Sequence, residues 1–442
     1  MSVNKIVFII LWAIIVLLII MLVIQLNRGT TQNQPRIQRW DFNIWILKED
    51  KSEFENIIRD FKSAFPRYSN TRIHVESFDD RWTYETTIMS AIWSWVAPDI
   101  FMLNNTEYSP LMNHIIGIDS GVVSVNDFRR DFHPVFSDDL IFHAESLNID
   151  ALLWIPVWYQ VPALFYNRRN FPRSSELLDW SRFNMEMLSV AERWEIIPLA
   201  IWDGTSVTRI NSIVQSFLAH EWVTDLDNVQ NPHTRQALNQ YKSLWLIGSR
   251  NYIDLVSSQS IRKTDIEHFT NGDVASMIGY PRDLLKISDI WYQSNMFFVT
   301  PFPFSEWKDN AVAIDYDYFV IQRNTWNPDL AEDFLSYLAS ERGQRKFIEH
   351  FPHNIPARSW FAIEIEEQRV HPGFNVIYKN FISDQNELIS FNIHNKQMFS
   401  RGIRSILEEE NWFSLWFQIL KSNILCSVKK YRDFENLSTP CR

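Results

Sequence analysis

The sequence predicts an α/β protein whose folded body follows a single membrane-crossing helix. Three observations predict it. From residue 40 onward, short β-prone runs alternate with amphipathic stretches, the pattern of strand–helix–strand units and a parallel sheet. Hydrophobic residues fill 46% of 442 positions and charged residues 21%, enough for a large core in a chain two domains long. Ahead of this body, Ile6 to Ile24 (IVFIILWAIIVLLIIMLVI) holds 19 residues without a charge, Gly or Pro.

In chain order, the apolar run spans roughly 28 Å, close to a hydrocarbon core of about 30 Å. No A-x-A-like site follows it before Gln25-Leu26-Asn27-Arg28, so residues 1–28 read as a cytoplasmic tip and retained anchor. No cysteine stands just after the run, which argues against N-terminal lipidation. The two cysteines, Cys426 and Cys441, either close a small loop or remain two thiols. Residues 29–39 (GTTQNQPRIQR) are polar and aperiodic, a tether. The body then opens with a strand at 42–47 and a helix over 52–65, whose apolar Phe54, Ile57, Ile58, Phe61 and Phe65 share one face. A second strand at 71–78, a helix around 84–95 and a third strand at 98–103 complete two β–α–β units. Strand segments follow at 153–156 and 163–167, and residues 180–250 are mostly helical. Asn271-Gly272 signals a turn ahead of a strand at 274–278. Asn327-Pro328-Asp329 signals a helix start, with Asn as the cap and Pro in the first turn. Helices are expected over 329–351 and 395–410, and an apolar one over 412–425.

Composition narrows the function. With 42 basic against 53 acidic residues the formal charge is −11, so the chain lacks the basic footprint of a nucleic-acid binder. It contains no P-loop, G-x-G-x-x-G, H-E-x-x-H or G-x-S-x-G, and hence no motif for a cofactor or for an enzyme. His350 and His353 bracket a proline that should end a helix, which argues against a metal site.

Five segments, in this order, resemble the extracellular solute-binding proteins of ABC importers, in particular the sugar-binding group that includes maltose-binding protein. They are Trp45 with its following helix, the Ala97-Pro98-Asp99-Ile100-Phe101 strand, Ile155-Pro156 with the 164–171 segment LFYNRRNF, the 269–281 segment FTNGDVASMIGYP, and 327–338 NPDLAEDFLSYL with Ile355-Pro356-Ala357-Arg358. The resemblance covers about residues 40–410. It implies a two-lobed periplasmic-binding-protein-like fold with a hinge cleft: lobe one from 40–155 plus 304–353, lobe two from 160–300 plus 359–442. Crossings between the lobes are then expected near Pro156 to Pro162, near Pro301-Phe302-Pro303 and near Ile355-Pro356-Ala357.

A sugar site mixes aromatic rings with planar polar groups. Trp158, Tyr159 and Gln160 follow the first crossing, where the family points a polar side chain into the cleft. Asn104 and Asn105 end the third strand, at the sheet edge where open α/β sheets bind ligands. Trp202, in a break between helices, is placed to stack on a ring. At Gly279-Tyr280-Pro281-Arg282 the chain departs from the family: Arg282 stands where a Trp is usual, which suits an acidic sugar, a carboxylate or a peptide, or else a salt bridge to Asp283 or Asp289. Asp315-Tyr316-Asp317-Tyr318 alternates carboxylates with rings, so one pair faces inward and Tyr316 joins the candidates.

The resemblance implies a monomeric receptor held at the plasma membrane by one N-terminal helix, with its folded domain on the extracytoplasmic side. The partners it implies are a small solute, in this group a carbohydrate, and the subunits of an ABC permease. The alternative is a sensor or scaffold of the same fold without transport.

Overall fold

The computed structural model describes residues 41–359, apart from 106–110, 145–148, 172–178, 202–208, 224–230, 249–263, 291–296, 304–309 and a few single positions, together with strand 386–390. The anchor, the tether, Trp202, the helices expected beyond residue 390 and both cysteines lie outside the described residues.

β1 (Phe42–Leu47) is buried at all six positions, as a central strand covered on both faces must be. α1 (Lys51–Ala64) starts where the Asp50 carboxylate accepts from the backbone amides of Ser52 and Glu53, and it buries Phe54, Ile57, Ile58 and Phe61 at helical spacing. β2 (Ile73–Phe78) pairs parallel to β1, Phe42 opposite Ile73. α2 (Arg81–Trp93) leads to β3 (Ile100–Asn104), parallel to β1 on its other side. Only Ile44 and Trp45 of β1 pair with β3; beyond them the Tyr84 hydroxyl takes the place of a strand neighbour, donating to the Met102 carbonyl at 2.7 Å and accepting from its amide at 2.8 Å. The expected helix around 84–95 ends at Trp93 because Trp95 turns into the left-handed region, φ 60°, and the Val96 amide folds back to the Ala91 carbonyl.

Short β4 (Ile115–Ile116), α3 (Val125–Asp131), α4 (Pro134–Leu140) and the hairpin of β5 (Ile141–Ala144) with β6 (Ile149–Leu152) follow. β7 (Ile155–Gln160) rejoins the large sheet. The segment read as 153–156 is therefore longer and starts later, and Trp158, Tyr159 and Gln160 lie within it. Two residues further, β8 (Ala163–Asn167) belongs to a second, three-stranded sheet with β9 (Ser276–Gly279) and β10 (Phe297–Pro301), order β10-β8-β9, all antiparallel. Around it lie α5 (Trp180–Trp194), α6 (Ile210–His220), α7 (Pro232–Gly248), α8 (Asp265–Asn271) and α9 (Asp283–Ile290). Gly272, φ +78°, caps α8 in the left-handed conformation, so the Asn271-Gly272 signal is a helix end as well as a turn.

β11 (Asn310–Gln322) returns to the large sheet, antiparallel to β3 and β7. The sheet, order β12-β7-β11-β3-β1-β2, is thus mixed, where alternating strands and helices suggested a parallel one. A single long return strand from a distant part of the chain carries no helix to signal its direction. The first five residues of β11 also pair with β13 (Asn386–Ser390) and lie against α6. The helix expected over 329–351 is two, α10 (Pro328–Ala339) and α11 (Glu341–His350), broken where Ser340 takes extended angles and its hydroxyl accepts from the Gly343 amide. Asn327 precedes α10 without a side-chain capping bond; Pro328 and the acidic Asp329, both in the first turn, meet the expectation for that start. β12 (Ile355–Pro356) closes the series against β7.

The core of the large sheet is aromatic. On one face Phe54 of α1 meets Phe319, Phe334 and Phe347 with ring centroids 5.7–6.5 Å apart. Lobe two has its own cluster, Trp180, Phe217 and Phe302, at 4.9–5.4 Å. Each such buried ring contributes about 1.5–3 kcal/mol through area removed from water. No helix among the described residues is long and apolar enough to cross a membrane.

Candidate functional site

The two sheets meet where β3 and β7 end and β11 passes between them. At the end of β3, Asn105 acts as a further strand residue: its amide donates to the Tyr316 carbonyl at 3.0 Å, and its side chain bonds the Ile314 carbonyl and the Tyr316 amide. Asn104 donates from its side chain to the Tyr316 carbonyl and to the carboxylates of Asp317, at 3.0 Å, and Asp315. Turn chemistry alone does not describe either asparagine; both hold β11.

From Asp315 the network enters lobe two. Tyr280, just past β9 and fully buried, places its hydroxyl 2.8 Å from Asp315 Oδ2 and in contact with Ser212 Oγ of α6. The single phenolic proton serves the carboxylate, which leaves the serine to donate. Burial, reinforced by the Asp315 charge, pushes the Tyr280 phenol well above its ordinary value, so it stays a donor. The Tyr280 amide donates to Asp283 at 2.7 Å, and Asp283 pairs with Arg209, whose guanidinium sits 5.0 Å from the Tyr280 ring and 3.8 Å from Asp265. Arg209 is only 10% exposed, and both its carboxylates are buried.

A second link runs through Gln160. Its side-chain amide donates to Asn354 Oδ1 at 2.6 Å, and its carbonyl accepts the Arg282 amide at 3.4 Å, tying β7 to the loop after β9 and to the segment before β12. On the other face of β7 and β11 stands an aromatic wall. The Tyr316 ring lies edge-on to Phe136 at 5.0 Å with its hydroxyl donating to Asp139 at 2.7 Å, and Tyr159 meets Phe136 at 5.8 Å. Burial raises the Tyr159 phenol and lowers the neighbouring His133, so both stay neutral.

Of the residues expected at the cleft, the structure brings together Asn104, Asn105, Gln160, Tyr280 and the backbones of Tyr316 and Arg282; the rings of Tyr159 and Tyr316 lie together on the other face of the sheet, against Phe136. Trp158 does not join them. It shares a face of β7 with Gln160 but lies two residues back from the strand's end, where, 1% exposed, it stacks on Phe347 of α11 at 4.5 Å: a residue of the lobe-one core. Asp283, one suggested partner of Arg282, is held by Arg209 instead. Sequence reasoning missed Arg209, Asp139 and Ser212. A signal for the last was present: α6 is buried at every position yet carries Asn211, Ser212, Gln215 and Ser216, polar groups that an all-buried helix holds only for partners. Ser216 indeed accepts the Ala313 amide of β11.

Comparison with known proteins agrees with this architecture. The family model of bacterial extracellular solute-binding proteins matches residues 59–362. Among solved structures, the GacH receptor of Streptomyces glaucescens GLA.O, described in complex with acarbose, has a TM-score of 0.64 at 13% identity, covering 88% of this chain and 99% of its own. The maltotriose binding protein of Thermus thermophilus, with maltotriose bound, has 0.61 at 14% identity, covering 87% and 100%. The sugar-binding protein MalE of Xanthomonas citri has 0.66 at 13% identity, covering 90% and 99%. No curated protein sequence matches. At such identities the structural likeness shows the two-lobed fold alone. The family match covers well over half of the chain, including every strand but β1 and β13 and the hydrogen-bonded junction, and on that ground the chain belongs to the bacterial extracellular solute-binding proteins.

Proposed function

We propose that the chain is a membrane-anchored extracytoplasmic receptor that encloses a sugar or oligosaccharide between its lobes and delivers it to an ABC permease. The observation that carries this is the junction itself: Asn104, Asp315 and Tyr280 form one hydrogen-bonded series from the large sheet into lobe two, and Gln160 makes a second link to the Arg282 amide. Sugar hydroxyls offer the same donors and acceptors, so a ligand entering on hinge opening exchanges for these contacts without leaving a buried polar group unpaired. Charge points to a neutral ligand. Arg209 is already matched by Asp283 and Asp265, while Asp315, Asp317 and Asp139 add further carboxylates. An anion would meet net repulsion there. The neighbours named for acarbose and maltotriose support the carbohydrate class, and the apolar run at residues 6–24 supports the anchor.

A thermal-shift panel of neutral oligosaccharides, sugar acids and peptides tests the reading. A ligand at 100 times its dissociation constant adds about 2.7 kcal/mol of stability. The expected result is a rise in melting temperature with a neutral oligosaccharide; a rise with peptides alone would contradict it. The self-satisfied junction also favours a second reading, a sensor or scaffold whose cleft no longer opens, for which no compound in the panel shifts the melting temperature.

A further inference from the structure

At the end of the large sheet opposite the polar junction, two loops carry exposed tryptophans. Trp93 and Trp95, at the end of α2, are 71% and 82% exposed, Val96 beside them is exposed, and Trp326 is 71% exposed. These residues share one corner. The Trp93 ring lies edge-on to His114 at 6.1 Å, and the His114 carbonyl accepts the Arg323 amide at 2.8 Å, which joins the 93–99 loop to the 322–327 turn. Asp99 accepts from the Thr325 hydroxyl at 2.5 Å and from the Asn43 amide at 2.9 Å, which brings the start of β1 to the same place. The tryptophan at 95 stands in the left-handed backbone region, where glycine is the residue of least cost.

The chain therefore enters its fold at the tryptophan corner. Only residues 25–40 separate it from the apolar run of residues 6–24, and sixteen residues reach about 55 Å at most. Indole suits the bilayer interface because its ring is apolar and its N–H is not, so it settles at headgroup depth. Arg323, exposed on the same turn, supplies a cation at the depth of lipid phosphates. We propose that this corner is a bilayer-docking surface on which the body rests against the outer leaflet that holds its own anchor, with Trp93, Trp95 and Trp326 seated among the headgroups. The polar junction at the other end of β3 then faces away from the membrane. The cleft is presented to solute, and handing it to a permease requires the corner to lift off.

The proposal rests on the anchor reading given above, and the test separates the two. Full-length chain is placed one per nanodisc, in phosphatidylcholine with or without brominated acyl chains near the headgroup, and tryptophan emission is compared with that of W93S/W95S/W326S. The expected result is that brominated lipid quenches the wild type more than the variant, by at most the share of three tryptophans in nineteen. Equal quenching overturns the proposal, as does a second chain in the disc that abolishes the difference. A chain that fails to enter the disc at all counts against the anchor instead. Trp95→Gly, which relaxes the left-handed backbone, provides a folded second variant expected to lose about a third of the difference.

Discussion

Arg209 and Tyr280 carry the lobe-two side of the junction, and their substitution separates packing from hydrogen bonding. Arg209→Gln leaves the buried carboxylates of Asp283 and Asp265 without their cation, so a loss of about 3–5 kcal/mol is expected in denaturant unfolding. A loss under about 1 kcal/mol would mean that the carboxylates find other partners. Tyr280→Phe keeps the ring under Arg209 and removes only the hydroxyl between Ser212 and Asp315; about 1–2 kcal/mol is expected. Arg282→Trp tests ligand charge: weaker binding of an acidic sugar with unchanged binding of a neutral one would make Arg282 the anion contact, and unchanged binding of both places it away from the ligand. Legibility follows distance along the chain. Asn104 and Asn105 could be found because a strand's last residues sit at a sheet edge wherever the strand lies. Arg209 could not, since its partners stand 56 and 74 positions downstream and no local pattern marks it. Trp158 lies apart because it shares a face of β7 with Gln160 yet sits two residues back from the strand's end, under Phe347 of α11, which no local pattern in the sequence announces.

Helix ends decide much of the element-scale stability. Asp50→Ala removes the cap of α1, expected to cost about 0.5–2 kcal/mol. Gly343→Ala places a methyl 2.0 Å from the Tyr337 carbonyl oxygen, at the break between α10 and α11; overpacking of this kind costs about 1–3 kcal/mol, read as a shifted denaturation midpoint with unchanged slope. The sequence shows α1 almost to the residue, because its apolar face, its cap and its start coincide. The break at Ser340 was hidden because α10 and α11 share one apolar face across it. Acid acts on the same elements. The Ser52 hydroxyl bonded to Asp50, Arg342 beside Asp60 and Arg130 beside Asp131 hold these carboxyls below their ordinary values. A lowered folded value means stability that is complete above the unfolded pKa, near ~3.9, and is lost as pH falls through the folded one. Melting temperature should therefore hold steady down to about pH 4 and decline below it, and a decline that begins near neutrality would assign the acid sensitivity to other groups.

Among the described residues the two larger sheets are joined by the short step from β7 to β8 and by β11, which pairs in the large sheet and rests on α6 of the other lobe. A joint of a few strands between two separately packed cores is suited to hinge motion. The sequence announced the two-sheet plan through its ordered segments, and it concealed the direction of β11, which only its pairing with β3 and β7 reveals. Small-angle scattering of the full chain in nanodiscs of matched contrast, with and without a saturating oligosaccharide that raises the melting temperature, measures whether solute is held by closing lobes. The radius of gyration of the protein should fall on ligand addition; an unchanged radius with the ligand demonstrably bound would contradict enclosure between the lobes.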